Sequence, residues 1–122
     1  MSAETVLLVE DEPDLLAFLE FTFEKAGYET IAFDEGTAAW TYLEENTPDC
    51  MVLDLLMPGI DGMEILHRRS ESDRISGIPV LVLTGSDSET SVMKAFDRGA
   101  DEYLTKPFSP EELLVRTRRL LR

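Results

Sequence analysis

The amino-acid sequence predicts an α/β domain: a five-stranded parallel sheet, doubly wound, with helices on both faces. Three observations carry that prediction. Short apolar runs alternate with longer amphipathic ones along all 122 residues, the pattern of strand and helix units joined by right-handed crossovers. The short runs are apolar throughout rather than at every second residue, as parallel strands covered on both faces require. A length of 122 residues with 43% hydrophobic content supports one buried core and leaves no room for a second domain. The expected domain therefore covers residues 1–122.

The elements follow in order. A first strand is expected at residues 5–9 (TVLLV), ending at the acids Glu10, Asp11 and Glu12. The next run, 14–26, places Leu15, Phe18, Leu19 and Phe23 near one helical face, with Pro13 just ahead and Gly27 just behind. A second strand at 30–33 (TIAF) leads to a helix at 36–46, on which Trp40 is expected to pack. The third strand, 50–54 (CMVLD), puts Cys50 and Met51 in the core and ends on Asp54, before a helix at 63–70. The fourth, 80–83 (VLVL), is followed by Thr84, Gly85 and Ser86 and by a helix at 89–98 that stops at Gly99. The fifth, 102–105 (EYLT), precedes Lys106 and Pro107. A last helix at 110–121 has Ser109 as its cap, with Glu111 and Glu112 in the first turn. Arg116, Arg118, Arg119 and Arg122 follow in the later half, where cations suit the helix dipole.

Charge is unevenly placed. The net charge is −14; residues 1–66 carry 16 acids and one base (Lys25), and residues 67–122 carry 9 acids and 10 bases. This weighs against direct binding to nucleic acid or to an anionic membrane. Cys50 is the one cysteine, which excludes an internal disulfide and a multi-cysteine metal site and fits a reducing compartment. The N-terminus has no basic segment ahead of its apolar run, and no stretch reaches membrane length, so the expected address is cytoplasmic. His67 stands beside Arg68 and Arg69 with no second metal ligand, and is expected to be exposed and inert.

Parallel sheets of this kind bind ligands beyond the carboxyl ends of their strands. Those ends would bring Glu10, Asp11, Asp54, Thr84 and Lys106 to one edge. Crowded carboxylates repel unless a cation neutralises them. An oxygen-rich, partly hydrated cluster suits Mg²⁺, and a Lys and a Thr beside it suit phosphate, so the edge reads as a site for phosphoryl chemistry.

The residues at these ends resemble those of response-regulator receiver domains of two-component signalling. The matching segments are LLVEDEPD with Glu10 and Asp11, VLDLLMPGIDG with Asp54, Met57, Pro58 and Gly62, VLTG with Thr84, and YLTKPF with Tyr103, Lys106, Pro107 and Phe108. Four such segments in order, each at a strand's end, are specific. The resemblance implies a flavodoxin-like sheet in strand order 2-1-3-4-5. It also implies that Asp54 accepts a phosphoryl group from a sensor histidine kinase or phosphotransfer protein. Mg²⁺ would be held by Asp11, Asp54 and the backbone carbonyl of Leu56, with Glu10 acting through water. Lys106 and Thr84 would contact phosphoryl oxygens, Thr84 and Tyr103 would form the switch, and the peptide between Lys106 and Pro107 is expected to be cis.

On this reading the chain is a signalling switch rather than an enzyme. The fourth helix, fifth strand and fifth helix would form its output face toward a partner protein, an output domain beyond Arg122 or a phosphorylation-dependent homodimer. The fifth-helix segment resembles receivers attached to winged-helix DNA-binding domains. Asp97, Glu102, Glu112, Arg116 and Arg118 fit charged pairing across such a dimer, whereas Val92 and Glu89 depart from that class. Gly85 predicts open access to the phosphoryl site. Tyr103 fits a half-buried strand aromatic as well as a switch. Two other classes stand beside this one. A receiver-like interaction module would lack phosphotransfer, yet acceptor, acid pair and Lys are all present. An Mg²⁺-dependent aspartyl phosphohydrolase would carry a second Asp where Leu56 stands. The acid surplus, with three Lys beside eight Arg, also suggests adaptation to high salt.

Overall fold

The apolar runs form strands β1 (Thr5–Val9), β2 (Glu29–Phe33), β3 (Cys50–Asp54), β4 (Val80–Thr84) and β5 (Glu102–Thr105). Between and after them lie helices α1 (Pro13–Lys25), α2 (Gly36–Leu43), α3 (Gly62–Ser70), α4 (Glu89–Asp97) and α5 (Pro110–Leu120). The computed structural model describes residues 3–85 and 89–122, with side chains over 3–85 and 92–122. Ser86 and the side chain of Glu89 lie outside that description.

All strand pairs are parallel, in the expected order β2-β1-β3-β4-β5. The central strands β1, β3 and β4 read as apolar because each face of the sheet has its own core. Leu7 and Val9 of β1 pack with α2 and α3 residues such as Leu43, Ile65 and Leu66. Val6 and Leu8, on the alternate face, pack with Leu19 and Phe23 of α1 and Leu113 of α5. Cys50 and Met51 are fully buried, as expected. Trp40 is half-buried on α2, with the Arg68 guanidinium 5.5 Å from its ring centroid.

Helix ends are capped in ordinary ways, with Ser109 at the expected place and Asp61 in addition. Pro13 and Pro110 occupy first-turn positions, where a missing N–H costs nothing. Asp61 and Ser109 accept the backbone N–H groups of Glu64 (3.0 Å) and Glu112 (3.1 Å). Gly99 closes α4 at φ +101°, a conformation that side-chain-bearing residues rarely adopt. One boundary differs by more than a residue: α2 ends at Leu43, not at 46. Arg74 donates to the carbonyls of Leu43 and Asn46, and Thr47 precedes a proline, which disfavours helical backbone there.

Candidate functional site

Strand register decides which side chains meet. Leu53 and Asp54 of β3 lie opposite Val9 of β1 and Leu83 of β4, and Thr84 lies opposite Thr105 of β5. Glu10, Asp54, Thr84 and Lys106 therefore emerge from four neighbouring strand ends. The peptide after Lys106 is cis, as the resemblance implied. The Lys106 N–H donates to the Thr84 carbonyl at 2.8 Å, tying β5's end to β4's.

The side chains converge tightly. One carboxylate oxygen from each of Glu10, Asp11 and Asp54 lies within 4.8 Å of the other two. Glu10 is fully buried and Asp54 nearly so, whereas Asp11 is exposed. Lys106 Nζ reaches Glu10 Oε1 at 3.1 Å and Asp54 Oδ2 at 3.4 Å. Thr84, also buried, lines a cleft of about 240 Å³ with Asp54, Leu55, Leu56, Gly85 and Lys106. A methyl group at Gly85 would meet no atom within 4 Å, so this wall of the cleft is open.

Electrostatics follow from that crowding. Burial, and then the charge of Glu10, push the Asp54 carboxyl up to about 7, with Lys106 pulling the other way. Burial alone would lower the Lys106 ammonium, but Glu10 and Asp54 more than offset it, and the net direction is upward. Glu10 Oε2 accepts the Glu12 N–H at 3.1 Å. Glu10 Oε1 has the Lys106 charge beside it but no hydrogen bond of acceptable geometry. A fully buried carboxylate oxygen left in this condition is costly. Three acids around one ammonium, one of them with an orphaned oxygen, fit a hard divalent cation bound by oxygens.

Glycine shapes the acceptor. A Cβ at Gly62 would stand 2.4 Å from the Asp54 carbonyl oxygen, so the first residue of α3 must be Gly for the helix to seat against the end of β3. The Met63 N–H donates to the Leu55 carbonyl at 3.2 Å in the same junction. The segment around Leu56 is thereby fixed by backbone contacts, while the Leu56 side chain itself is 59% exposed.

Several residues expected at the output face lie together. Tyr103 is exposed and meets Phe96 of α4 edge to face, with centroids 5.8 Å apart. Arg116 donates to Glu102 at 2.9 Å and to the Tyr103 carbonyl at 3.1 Å, and lies 3.7 Å from Glu112. Glu102, Glu112 and Arg116 are thus paired within the single chain, where β5 and α5 are adjacent. Asp97 is exposed. His67 is likewise on the surface, 3.3 Å from Glu71.

Comparison with known proteins decides the family. The model for the response regulator receiver domain matches residues 6–118. The chain is a receiver domain of that family. It is similar to the phosphate regulon transcriptional regulatory protein PhoB of Pseudomonas aeruginosa, with 34% identity over the whole chain and 53% of that protein. Transcriptional regulatory protein TrcR of Mycobacterium tuberculosis is 42% identical over 96% of the chain and 45% of its own length. Among solved structures, the receiver domain of Francisella response regulator 1452 superposes with a TM-score of 0.87 at 32% identity, covering 97% of this chain and 96% of that one. The receiver thus spans about half the length of the curated relatives it matches. Among the described residues, no helix is long and apolar enough to cross a membrane.

Sequence reasoning missed one conspicuous group. Arg69, named in the sequence only as a neighbour of His67, is only 4% exposed. Its Nε and Nη2 donate to the Ile78 carbonyl at 3.1 and 2.6 Å, and Nη1 approaches the Gly99 carbonyl at 3.5 Å. No local pattern marks it, since its acceptors come from distant loops.

Proposed function

We propose that this receiver domain is the phosphoacceptor of a two-component system: Asp54 takes a phosphoryl group from a sensor histidine kinase or phosphotransfer protein with Mg²⁺ bound. The observation that carries this reading is the convergence of Glu10, Asp11 and Asp54 within 4.8 Å beside Lys106 and Thr84. Glu10, Asp11, Asp54 and the Leu56 carbonyl would hold Mg²⁺, which when bound supplies positive charge to both the attacking carboxylate and the phosphoryl oxygens.

The protein's own residues do the rest. Asp54 attacks phosphorus with a carboxylate oxygen; an O–P bond forms as the donor's N–P bond breaks, and the electron pair stays on the leaving imidazole nitrogen, which takes up a proton. Lys106, already held by Asp54 and Glu10, stabilises charge on a phosphoryl oxygen without reorganising. The Thr84 hydroxyl donates to another. The open wall at Gly85 admits small donors and water.

The acyl phosphate carries about −1.5 to −2 charges at pH 7 in place of the single carboxylate charge. Drawing Thr84 toward them would bias Tyr103, and with it the α4, β5 and α5 face, between two arrangements. That face carries Met93, Phe96, Tyr103 and Val115 as exposed apolar groups, suited to a partner protein, an output domain or a second receiver. The relatives named as transcriptional regulators extend beyond the receiver, which supports control of transcription as the role of a parent protein.

Incubation with acetyl phosphate, followed by intact-mass measurement, tests the reading. One acid-labile phosphoryl adduct should form with Mg²⁺, and none with chelator or in Asp54→Asn. An Mg²⁺-treated chain that stays unmodified by both acetyl phosphate and phosphorylated kinases would instead favour an interaction module without phosphotransfer.

A further inference from the structure

The buried Arg69 takes no part in the chemistry above, yet it joins three segments that are distant in sequence. It stands in the last turn of α3 and fills its guanidinium with the carbonyls of Ile78, ahead of β4, and Gly99, after α4. Asp101 Oδ2, 3.9 Å from its Nη2, accepts the Val80 N–H at 2.8 Å and so locks the starts of β4 and β5 to the same charge. The fit is close on the other side too, because a Cβ at Gly99 would come within 2.9 Å of Arg69 Nη1.

The opposite end of α3 is the one seated on the phosphoacceptor strand. Gly62 abuts the Asp54 carbonyl and Met63 N–H bonds to Leu55. Arg98, at the end of α4, returns to that same first turn, its Nη1 3.4 Å from the Met63 carbonyl. A nine-residue helix is about 13 Å long, so a short rigid rod connects the Asp54 loop to the turn between α4 and β5.

We propose that Arg69 is a positioning residue that makes α3 a strut between the cation and phosphoryl site and the α4–β5 turn. The strut pre-orders the backbone at Leu55 and Leu56, on which the proposed cation site depends, and it fixes the end about which α4 can move. The proposal rests on the phosphoacceptor reading for the ligand. It differs from the Thr84 and Tyr103 route in its path, which runs through α3. Because coupling between two sites is reciprocal, loosening the turn must weaken binding at Asp54 if the strut works. Couplings carried by such intermediate residues change affinity by about 2- to 30-fold.

Two measurements on Arg69→Met and Arg69→Lys test it. In amide hydrogen exchange, Arg69→Met should speed exchange at Val80, Ala100 and Asp101 by tenfold or more beyond the change seen in β1 and β3. In titration with Mg²⁺ and beryllofluoride, the mimic's affinity should fall threefold or more, with Arg69→Lys recovering part of both effects. Unchanged affinity in Arg69→Met beside a faster-exchanging turn would overturn the strut and leave Arg69 a purely structural clasp. Unchanged exchange at the turn overturns it independently of any ligand. Failure of the parent chain itself to bind Mg²⁺ and beryllofluoride would count against the phosphoacceptor reading and against the strut as a link to that site.

Discussion

Replacing Asp54 by Asn should stabilise the cation-free receiver at about pH 8 and do little at about pH 4. The Asp54 carboxyl sits at about 7 in the fold, above its ordinary 3.8. A group whose folded value is raised holds its proton more tightly when folded, so the stability it contributes is complete below the unfolded value. That stability is lost as the pH climbs through the window from 3.8 to about 7. At about 1.36 kcal/mol per tenfold change in proton affinity, the ceiling on this cost is about 4 kcal/mol. The ammonium of Lys106 remains charged throughout that window and offsets part of the cost, so an effect of about 2 kcal/mol is a reasonable working value. Asparagine keeps the shape and discards the charge. Thermal melts in chelator should therefore show Asp54→Asn melting roughly 5–10 °C above the parent at pH 8, with the gap closing toward pH 4. Saturating Mg²⁺ should reverse the order, since binding to the folded parent adds about 2.7 kcal/mol at a hundredfold excess over Kd. Comparing parent with variant cancels the many other carboxylates that titrate. A gap that is absent at pH 8, or equal at both pH values, would refute the claim that Asp54 is strained by burial and by Glu10.

Three further outcomes follow from particular contacts. Gly62→Ala should cost about 1–3 kcal/mol by forcing a methyl group against the Asp54 carbonyl, and calorimetric Mg²⁺ affinity should fall with it. Thr84→Ala should still accept phosphate, as seen by mass, while the phosphorylation-dependent shift of Tyr103 resonances shrinks; a full-sized shift would remove Thr84 from the switch. If the acidic surface is a high-salt adaptation, the melting temperature should rise steadily from dilute buffer to molar KCl, and a curve indifferent to salt removes that idea.

Much of this was legible before any coordinates. The ranges of β1 and β3 follow from apolar runs, because strands buried on both faces have few polar residues to interrupt them, whereas β5 (EYLT), with one buried residue, is placed by its position in the strand and helix alternation. Each site residue could be placed at a strand end, since parallel strands deliver their carboxyl ends to one edge. What the sequence withheld is tertiary. That Glu10 is wholly buried while its neighbour Asp11 is exposed depends on how the loop after β1 turns, and an EDE triplet looks the same either way. Arg69 follows Arg68 in a helix and reads as surface; only the approach of the Ile78 and Gly99 loops makes its burial affordable. Glu102 and Arg116 read as charges suited to pairing between copies; that the closeness of β5 to α5 also pairs them within one chain is a tertiary fact.

The most direct test of the phosphoacceptor reading is to locate the modification itself. After treatment with acetyl phosphate and Mg²⁺, borohydride reduces an aspartyl phosphate to homoserine, which peptide mass spectrometry can assign to one residue. Conversion at Asp54, absent when Mg²⁺ is withheld, is the expected result. Conversion confined to Asp11 or to another acid, with Asp54 recovered intact, would contradict it.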